Sequence, residues 1–485
     1  MKNRFRITLA VFGLSLISTA AAAPDKPNVL FLIADDLNTA LSGFGHKQCQ
    51  TPNLDRLAER GVKFENMHCQ YPVCGASRAS LMSGLYPYSN RTLGNEGSLR
   101  GSMPDVVTMS QIFRHRGYYA GRVSKIYHMG IPNEIIAGTA ERDDPKSWDE
   151  VINIKAPEQN APGERTNWSP KDKGSQSFTA VVASGGDSDH ADGMAADHAI
   201  EILDKVKDEP FFLAVGFVRP HVPLVAPKTY FDRYDREEMQ VPIVPDDDLD
   251  DVPEIIRGYK RNSTTYDVTP ELHKGLIQAY YASVSYMDAQ VGRVLDALKE
   301  KGLEDNTIVV FSSDHGYLLG HHHKFQKQHL FEEATRVPFI VSVPWMKAQH
   351  GRGTRKITEL IDLYPTLADL AGIPAPDNLQ GTSLKPLLTD TQSPKWTKDT
   401  AFTVSRSGGE SIRTAEWRFT QWGFGESGTE LYDLKKDPGE FTNQAQNPEY
   451  ATVVERLQKQ LIAKRDEAGF QKNQAVILRD KKKQR

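Results

Sequence analysis

The chain has 485 residues, 39% hydrophobic and 25% charged, with a formal net charge of -4; this is the make-up of a soluble globular protein with one large and one smaller domain. The charge balance leaves no basic face for nucleic acid, so none is expected as a partner. Three cysteines, Cys49, Cys69 and Cys74, make no disulfide framework; Cys49 with Cys69 reads equally as a bridge or as two buried thiols.

Lys2, Arg4 and Arg6 precede an apolar run from Ile7 to about Ala20, closed by Ala21, Ala22 and Ala23. Charged start, short apolar middle and small-residue exit are the parts of an export signal. The run is too short for a comfortable membrane span, and no later segment reaches spanning length. Residues 1–23 therefore read as a signal peptide, and the mature chain from Pro24 is expected to be periplasmic or secreted, without stable membrane insertion. The basic ending, Lys481 to Arg485, reads as a solvated tail.

Asn28 to Ala34 (NVLFLIA), Phe211 to Phe217 (FFLAVGF) and Thr307 to Ser313 (TIVVFSS) are near-continuous apolar runs, as expected of buried parallel strands. Helical patterns cover Asn53 to Arg60, Thr108 to Arg116, Ala195 to Lys207 and Leu276 to Lys301. Alternating strands and helices predict an α/β domain, residues 24–390, with a sheet covered on both faces. Residues 140–190 and 242–270 read as irregular, and the acidic run Asp246 to Asp251 reads as a solvated face. Beyond Asp390, Ala401 to Val404, Arg418 to Trp422 and Glu430 to Leu434 read as short antiparallel strands. With a helix from about Tyr450 to Ala468, they predict a smaller C-terminal subdomain, residues 391–485.

Asp35 and Asp36 follow the first strand directly; Asp314 and His315 follow the Thr307 strand. Ligands of open α/β sheets bind beyond the carboxyl ends of the strands. Three carboxylates delivered to one edge repel unless a cation neutralises them, and hard oxygen ligands suit Ca²⁺ or Mg²⁺. Either pair alone would read as a helix cap or turn former; the two together favour a metal. In Cys74-Gly75-Ala76-Ser77-Arg78, the helix expected from Ser77 puts Cys74 at a helix N-terminus, which favours anions, and Arg78 adds a guanidinium suited to tetrahedral oxyanions.

That segment, continuing to Ser83-Gly84-Leu85-Tyr86-Pro87, resembles the sulfatase signature C-x-[Pro/Ala/Ser]-x-R followed by a helix and Thr/Ser-Gly-x-Tyr-Pro. Asn28 to Asp36, Ser313 to Gly320, Gln380 to Leu388 and Glu430 to Glu440 resemble further family segments in the same order, over roughly residues 27 to 465. The resemblance implies an alkaline-phosphatase-like sandwich with a large mixed, mostly parallel sheet and a short antiparallel sheet in the C-terminal subdomain. It implies that a maturation enzyme oxidises Cys74 to formylglycine, whose hydrate attacks sulfur and then expels sulfate. It places Asp35, Asp36, Cys74, Asp314 and His315 around the metal, Ca²⁺ before Mg²⁺. Lys125 and His128 match a Lys-x-x-His element, with Lys125 at the sulfate and His128 at the formylglycine. Lys327 matches a sulfate-binding lysine. His221, in a Pro-His-x-Pro turn, is expected to be the general acid, imidazole titrating nearest neutrality.

Two positions depart from the commonest sulfatases: Ala76 stands where they have Pro, and His315 where many have Asn. With Lys-x-x-His and the Phe211 to Pro223 segment, Asp314-His315 leans toward the iduronate-2-sulfatase branch. A sulfated oligosaccharide or polysaccharide is the substrate this implies. Two alternatives stand beside it: a phosphomonoester or phosphonate hydrolase of the same superfamily, and a carbohydrate-binding relic whose Cys74 is never modified. The run His321 to His323 reads as a loop beside the site or as a second metal site.

Overall fold

A computed structural model describes residues 24–168, 178–257 and 268–471. Residues 1–23, expected to be an export signal, and the basic ending lie outside the described residues, as do 169–177 and 258–267 of the two irregular stretches. In chain order the main elements are β1 (Asn28–Ala34), α1 (Pro52–Glu59), β2 (Val62–Phe64), α2 (Cys74–Ser83), α3 (Met109–Arg114), β3 (Tyr119–Ser124) and β4 (Glu150–Ile152). There follow α4 (Ala191–Lys205), β5 (Phe211–Gly216), α5 (Pro270–Glu300), β6 (Thr307–Ser313), β7 (Phe339–Ser342), β8 (Arg352–Thr354) and α6 (Leu363–Leu370). Last come β9 (Ala401–Ser405), β10 (Gly409–Arg413), β11 (Trp417–Gln421), β12 (Thr429–Asp433) and α7 (Ala451–Glu467).

The large sheet has the order β8-β2-β7-β6-β1-β5-β3-β4. Only β7 runs against the others, pairing antiparallel with both β6 and β2. Every residue of β1 is buried, and its side chains alternate between two cores. Leu30, Leu32 and Ala34 pack with α1, α4 and α5 on one face. Val29, Phe31 and Ile33 pack with α2, α3 and α6 on the other. Burying each large side chain is worth about 1.5–3 kcal/mol, so a run apolar at every position belongs in mid-sheet, where helices cover both faces. The fold is an alkaline-phosphatase-like α/β sandwich, as the resemblance implied.

The smaller sheet, β9-β10-β11-β12, is antiparallel throughout. Its apolar residues Phe402, Val404, Ile412, Phe419 and Leu431 share a core with Leu457 and Leu461 of α7. β10 went unread in the sequence because its residues, Gly-Glu-Ser-Ile-Arg, carry a single large apolar side chain; it is held by neighbours on both sides and by polar groups that find buried partners. Similarly, the stretch 140–190 contains β4 and the hairpin strands Gly163–Asn167 and Thr179–Ala183. The acidic run is also not wholly a solvated face: Asp248 is buried and bonds the His322 ring at 3.1 Å. All three cysteines are buried and free, so Cys49 and Cys69 form no bridge here. Among the described residues no helix is long and apolar enough to cross a membrane.

Candidate active site

Strand register assembles the site. β1 and β6 run parallel in step from Asn28 opposite Thr307 to Ala34 opposite Ser313, so Asp35 and Asp314 leave the sheet side by side. Asp36 then takes φ 65°, a left-handed conformation that Asp is one of few residues to adopt. Tyr280 of α5 donates to the Asp36 carbonyl at 2.7 Å, and Ser313 Oγ accepts from Leu37 N at 3.0 Å. On the other side, Ile33, Gly216 and Ser124 line up across β1, β5 and β3, which delivers Lys125 to Asp35. A Cβ on Gly216 would fall 2.0 Å from the Lys125 carbonyl oxygen, so only glycine lets that backbone approach.

Cys74 opens α2, whose ten residues are all buried. Small side chains on this helix let it enter the middle of the molecule. At Gly75 a Cβ would meet the Gly94 carbonyl at 2.4 Å, and the Gly75 amide donates to Asn95 Oδ1 at 2.7 Å. Ser77 donates to the Asp314 carbonyl. The helix ends at Gly84, at φ 67°, as left-handed caps favour.

Around Cys74 Sγ lie His315 Nε2 at 3.4 Å, Lys327 Nζ at 3.2 Å and Asp36 Oδ1 at 4.0 Å, and His128 hydrogen-bonds it. Lys327 also donates to Asp36 Oδ1 at 2.5 Å, and Lys125 to Asp35 Oδ2 at 2.5 Å. Arg78 donates through Nε to Asp314 Oδ2 at 2.8 Å and through Nη1 to the Lys125 and Ile126 carbonyls at 2.6 and 3.1 Å. His221 sits at the rim, Nε2 3.9 Å from Asp36 Oδ2, while its Nδ1 is 2.6 Å from the Val222 carbonyl. The structure thus brings together Asp35, Asp36, Cys74, Arg78, Lys125, Asp314, His315 and Lys327, with His128 and His221 against them.

The electrostatics follow from burial and opposed charges. Burial and Cys74 would raise the Asp35 carboxyl, but Lys125, His221 and Arg78 outweigh them and hold it well below the usual range. For Asp314 burial wins over Arg78, and its pKa is pushed up to about 6. Burial would also raise the Cys74 thiol; Lys125, Lys327 and His315 instead hold it well below its ordinary value. Position 74 is therefore built to carry negative charge.

Four of these side chains fit a divalent cation. Asp35, Cys74, Asp314 and His315 each offer a ligand atom within 4.8 Å of the others, and Asp36, Cys74 and His221 form a second such group. Asp35 Oδ1 and Asp36 Oδ2 are buried and accept no hydrogen bond, with Arg78 Nη2 3.4 Å from the first and His221 Nε2 3.9 Å from the second. His315 Nδ1 lies 2.9 Å from the Gly316 carbonyl; a proton there leaves the Nε2 lone pair facing the carboxylates, the orientation a ligating histidine needs. Buried acceptors without a hydrogen bond cost free energy, and a cation among them would lower that cost.

A family model described as Sulfatase matches residues 27–373. The chain belongs to the sulfatase family. It is a sulfuric ester hydrolase, and a second model, N-sulphoglucosamine sulphohydrolase, C-terminal, matches residues 320–467. The sulfatase is 34% identical to a protein named Sulfatase from Formosa agariphila, over 96% of this chain and 92% of that one. It is 33% identical to Iduronate 2-sulfatase of Mus musculus, over 77% of this chain and 74% of that one. The phosphonate monoester hydrolase of Agrobacterium radiobacter shares its fold, with a TM-score of 0.78 and 24% identity over 91% of this chain and 96% of that one.

Sequence reasoning missed the supporting groups Asn95, Tyr280 and Glu158. Their partners are distant in the chain, and no motif spacing marks them. The His321 to His323 run forms a tight turn beside Lys327: His322 bonds Asp248, and His323 Nε2 lies 3.0 Å from the Pro245 carbonyl. His322, Glu333 and Glu440 do form a third group able to hold a metal, but both Glu440 oxygens are already taken by Arg418 and the Glu332 amide.

Proposed function

We propose that this sulfatase is an exported enzyme, periplasmic or secreted, that removes sulfate from a sulfated oligosaccharide or polysaccharide using formylglycine made from Cys74. The observation that carries the reading is the burial of position 74 among carboxylates from two strand ends and the cations Arg78, Lys125 and Lys327. The carbohydrate substrate is supported by the similarity to Iduronate 2-sulfatase and by the second family match; a 2-O-sulfated uronate is the leading case.

A divalent cation, Ca²⁺ before Mg²⁺, would be held by Asp35, Asp36, Asp314 and His315, and when bound it supplies Lewis-acid polarisation and neutralises the carboxylates. A formylglycine-generating enzyme is the partner that converts Cys74, and the converted side chain supplies the attacking hydroxyl. Lys125 and Lys327 offer ammonium groups to the sulfate oxygens, and Arg78 fixes Asp314 and the Lys125 backbone so that these charges need not reorganise. His128 touches position 74, where it can take up or return a proton. His221 gives the Nε2 proton to the leaving oxygen as the S–O bond breaks.

The test compares mature protein with Cys74→Ala on defined sulfated oligosaccharides and on matched aryl sulfate and aryl phosphate, with mass spectrometry of the Cys74 peptide. Expected are a formylglycine at 74, free sulfate released faster than phosphate, and loss of release in Cys74→Ala. Equal release by that variant, or an unmodified thiol in fully active protein, would overturn the reading.

A further inference from the structure

His221 stands on a turn that leaves β5, and a buried clamp grips that turn from beneath. Arg219 is 1% exposed and Glu158 2%. Arg219 Nη2 donates to both Glu158 oxygens, each at 2.5 Å. Its Nη1 donates to the carbonyl of His221 itself at 2.6 Å and to that of Pro223. From the other side Asp192, in the first turn of α4 and fully buried, accepts from the amides of Val218 and Arg219 at 2.7 and 3.0 Å. Nothing in this set touches the cluster around Cys74 directly. All of it converges on the backbone that carries His221.

We propose that Arg219, locked by Glu158, is a positioning residue that holds His221 so that Nε2 faces the leaving oxygen. The proposal rests on the reading of His221 as general acid. The planar guanidinium matters because it meets a carboxylate through one amino group and two carbonyls through the other; a lysine ammonium, a point charge on a flexible stem, cannot keep both sets in place. With Nδ1–H on the Val222 carbonyl, Nε2 is the nitrogen that exchanges a proton. As the S–O bond breaks, its electron pair stays on the leaving oxygen, which takes the Nε2 proton; the ring is left neutral and is reprotonated from solvent. A turn that shifts by about 1 Å loses that transfer, since such misplacement is enough to cost on the order of a hundredfold.

The test uses full mature enzyme and a series of aryl sulfates whose phenols range from acidic (4-nitrophenyl) to weakly acidic (phenyl, 4-methoxyphenyl). Acidic phenols leave without help, whereas weakly acidic ones need the proton. Arg219→Lys, and the isosteric Glu158→Gln should the first fold poorly, are expected to keep kcat/KM for 4-nitrophenyl sulfate within about threefold and to lose about 10- to 100-fold with 4-methoxyphenyl sulfate. His221→Ala should lower activity on both and lose more with 4-methoxyphenyl than with 4-nitrophenyl sulfate, and adding Arg219→Lys to it should cost little more. Equal loss on every phenol, no loss on any, or a full additional loss in the double variant would overturn the clamp. If His221→Ala steepens the dependence and the clamp variants do not, the clamp alone fails; if His221→Ala shows no split, the acid assignment fails and takes the clamp with it.

Discussion

Lys327 aims its ammonium at Cys74, Nζ 3.2 Å from Sγ, while holding Asp36 at 2.5 Å. Burial works against that charge, but Asp36, Cys74, Asp35 and Asp314 raise the lysine pKa well above its ordinary value, so it stays cationic throughout the working range. Lys327→Met is expected to lower kcat/KM for an aryl sulfate by about 10²–10³, the cost of removing one preorganised group from a developing anion. Steady-state kinetics with circular dichroism as the folding control checks this; a loss under threefold would remove Lys327 from the sulfate.

Chelation is expected to abolish hydrolysis and to lower Tm, because a cation that binds only the native chain stabilises it by mass action. Asp314→Ala should lose both the calcium-dependent rise in Tm and activity. Thermal scans across a calcium titration measure the first, and full activity in thoroughly demetallated wild type would count against the metal.

His315 offers an imidazole where a hard cation prefers oxygen. His315→Asn is expected to bind Ca²⁺ at least as tightly as wild type and to keep activity within about tenfold, whereas His315→Ala should do neither. Isothermal titration with Ca²⁺ decides between them.

His322 supplies a pH dependence away from the carboxylate cluster. Burial would lower its pKa, but the Asp248 hydrogen bond, with Glu333, Asp248 and Glu440, raises it above the ordinary histidine value. A raised folded pKa means that the stabilisation is full below the unfolded pKa and is lost as pH rises through the folded one. The Tm difference between wild type and His322→Asn should therefore be larger at pH 6 than at pH 9, and Asp248→Asn should flatten it. A difference independent of pH would contradict the assignment.

Glu332, five residues after Lys327, ties that segment to the smaller sheet. It accepts from Arg413 of β10 at 3.1 Å and from Arg418 of β11, and Arg418 also pairs with Glu440. Glu332→Ala leaves the buried Arg418 short of its counter-charge, so a loss of about 3–5 kcal/mol in unfolding free energy is expected. Denaturant titration measures it; a change below about 1 kcal/mol would show that Glu440 alone suffices.

Local sequence determined the frame of this protein. Runs as apolar as β1, β5 and β6 can only be buried mid-sheet, and the main helices other than α6 were visible in the sequence, with ends shifting by a few residues. The candidate site was legible wherever a motif was contiguous, as at Asp35-Asp36, Cys74 to Arg78 and Asp314-His315. Tertiary structure decided the rest. The register that sets Asp35 beside Asp314, the approach of Lys125 over Gly216 and the grip of Arg219 and Glu158 on the His221 turn join residues 61 to 279 positions apart. No local pattern encodes such pairs, because their partners are chosen by which strands lie side by side; β10, with Ile412 its single large apolar residue, owes even its existence as a strand to the two neighbours that satisfy its backbone.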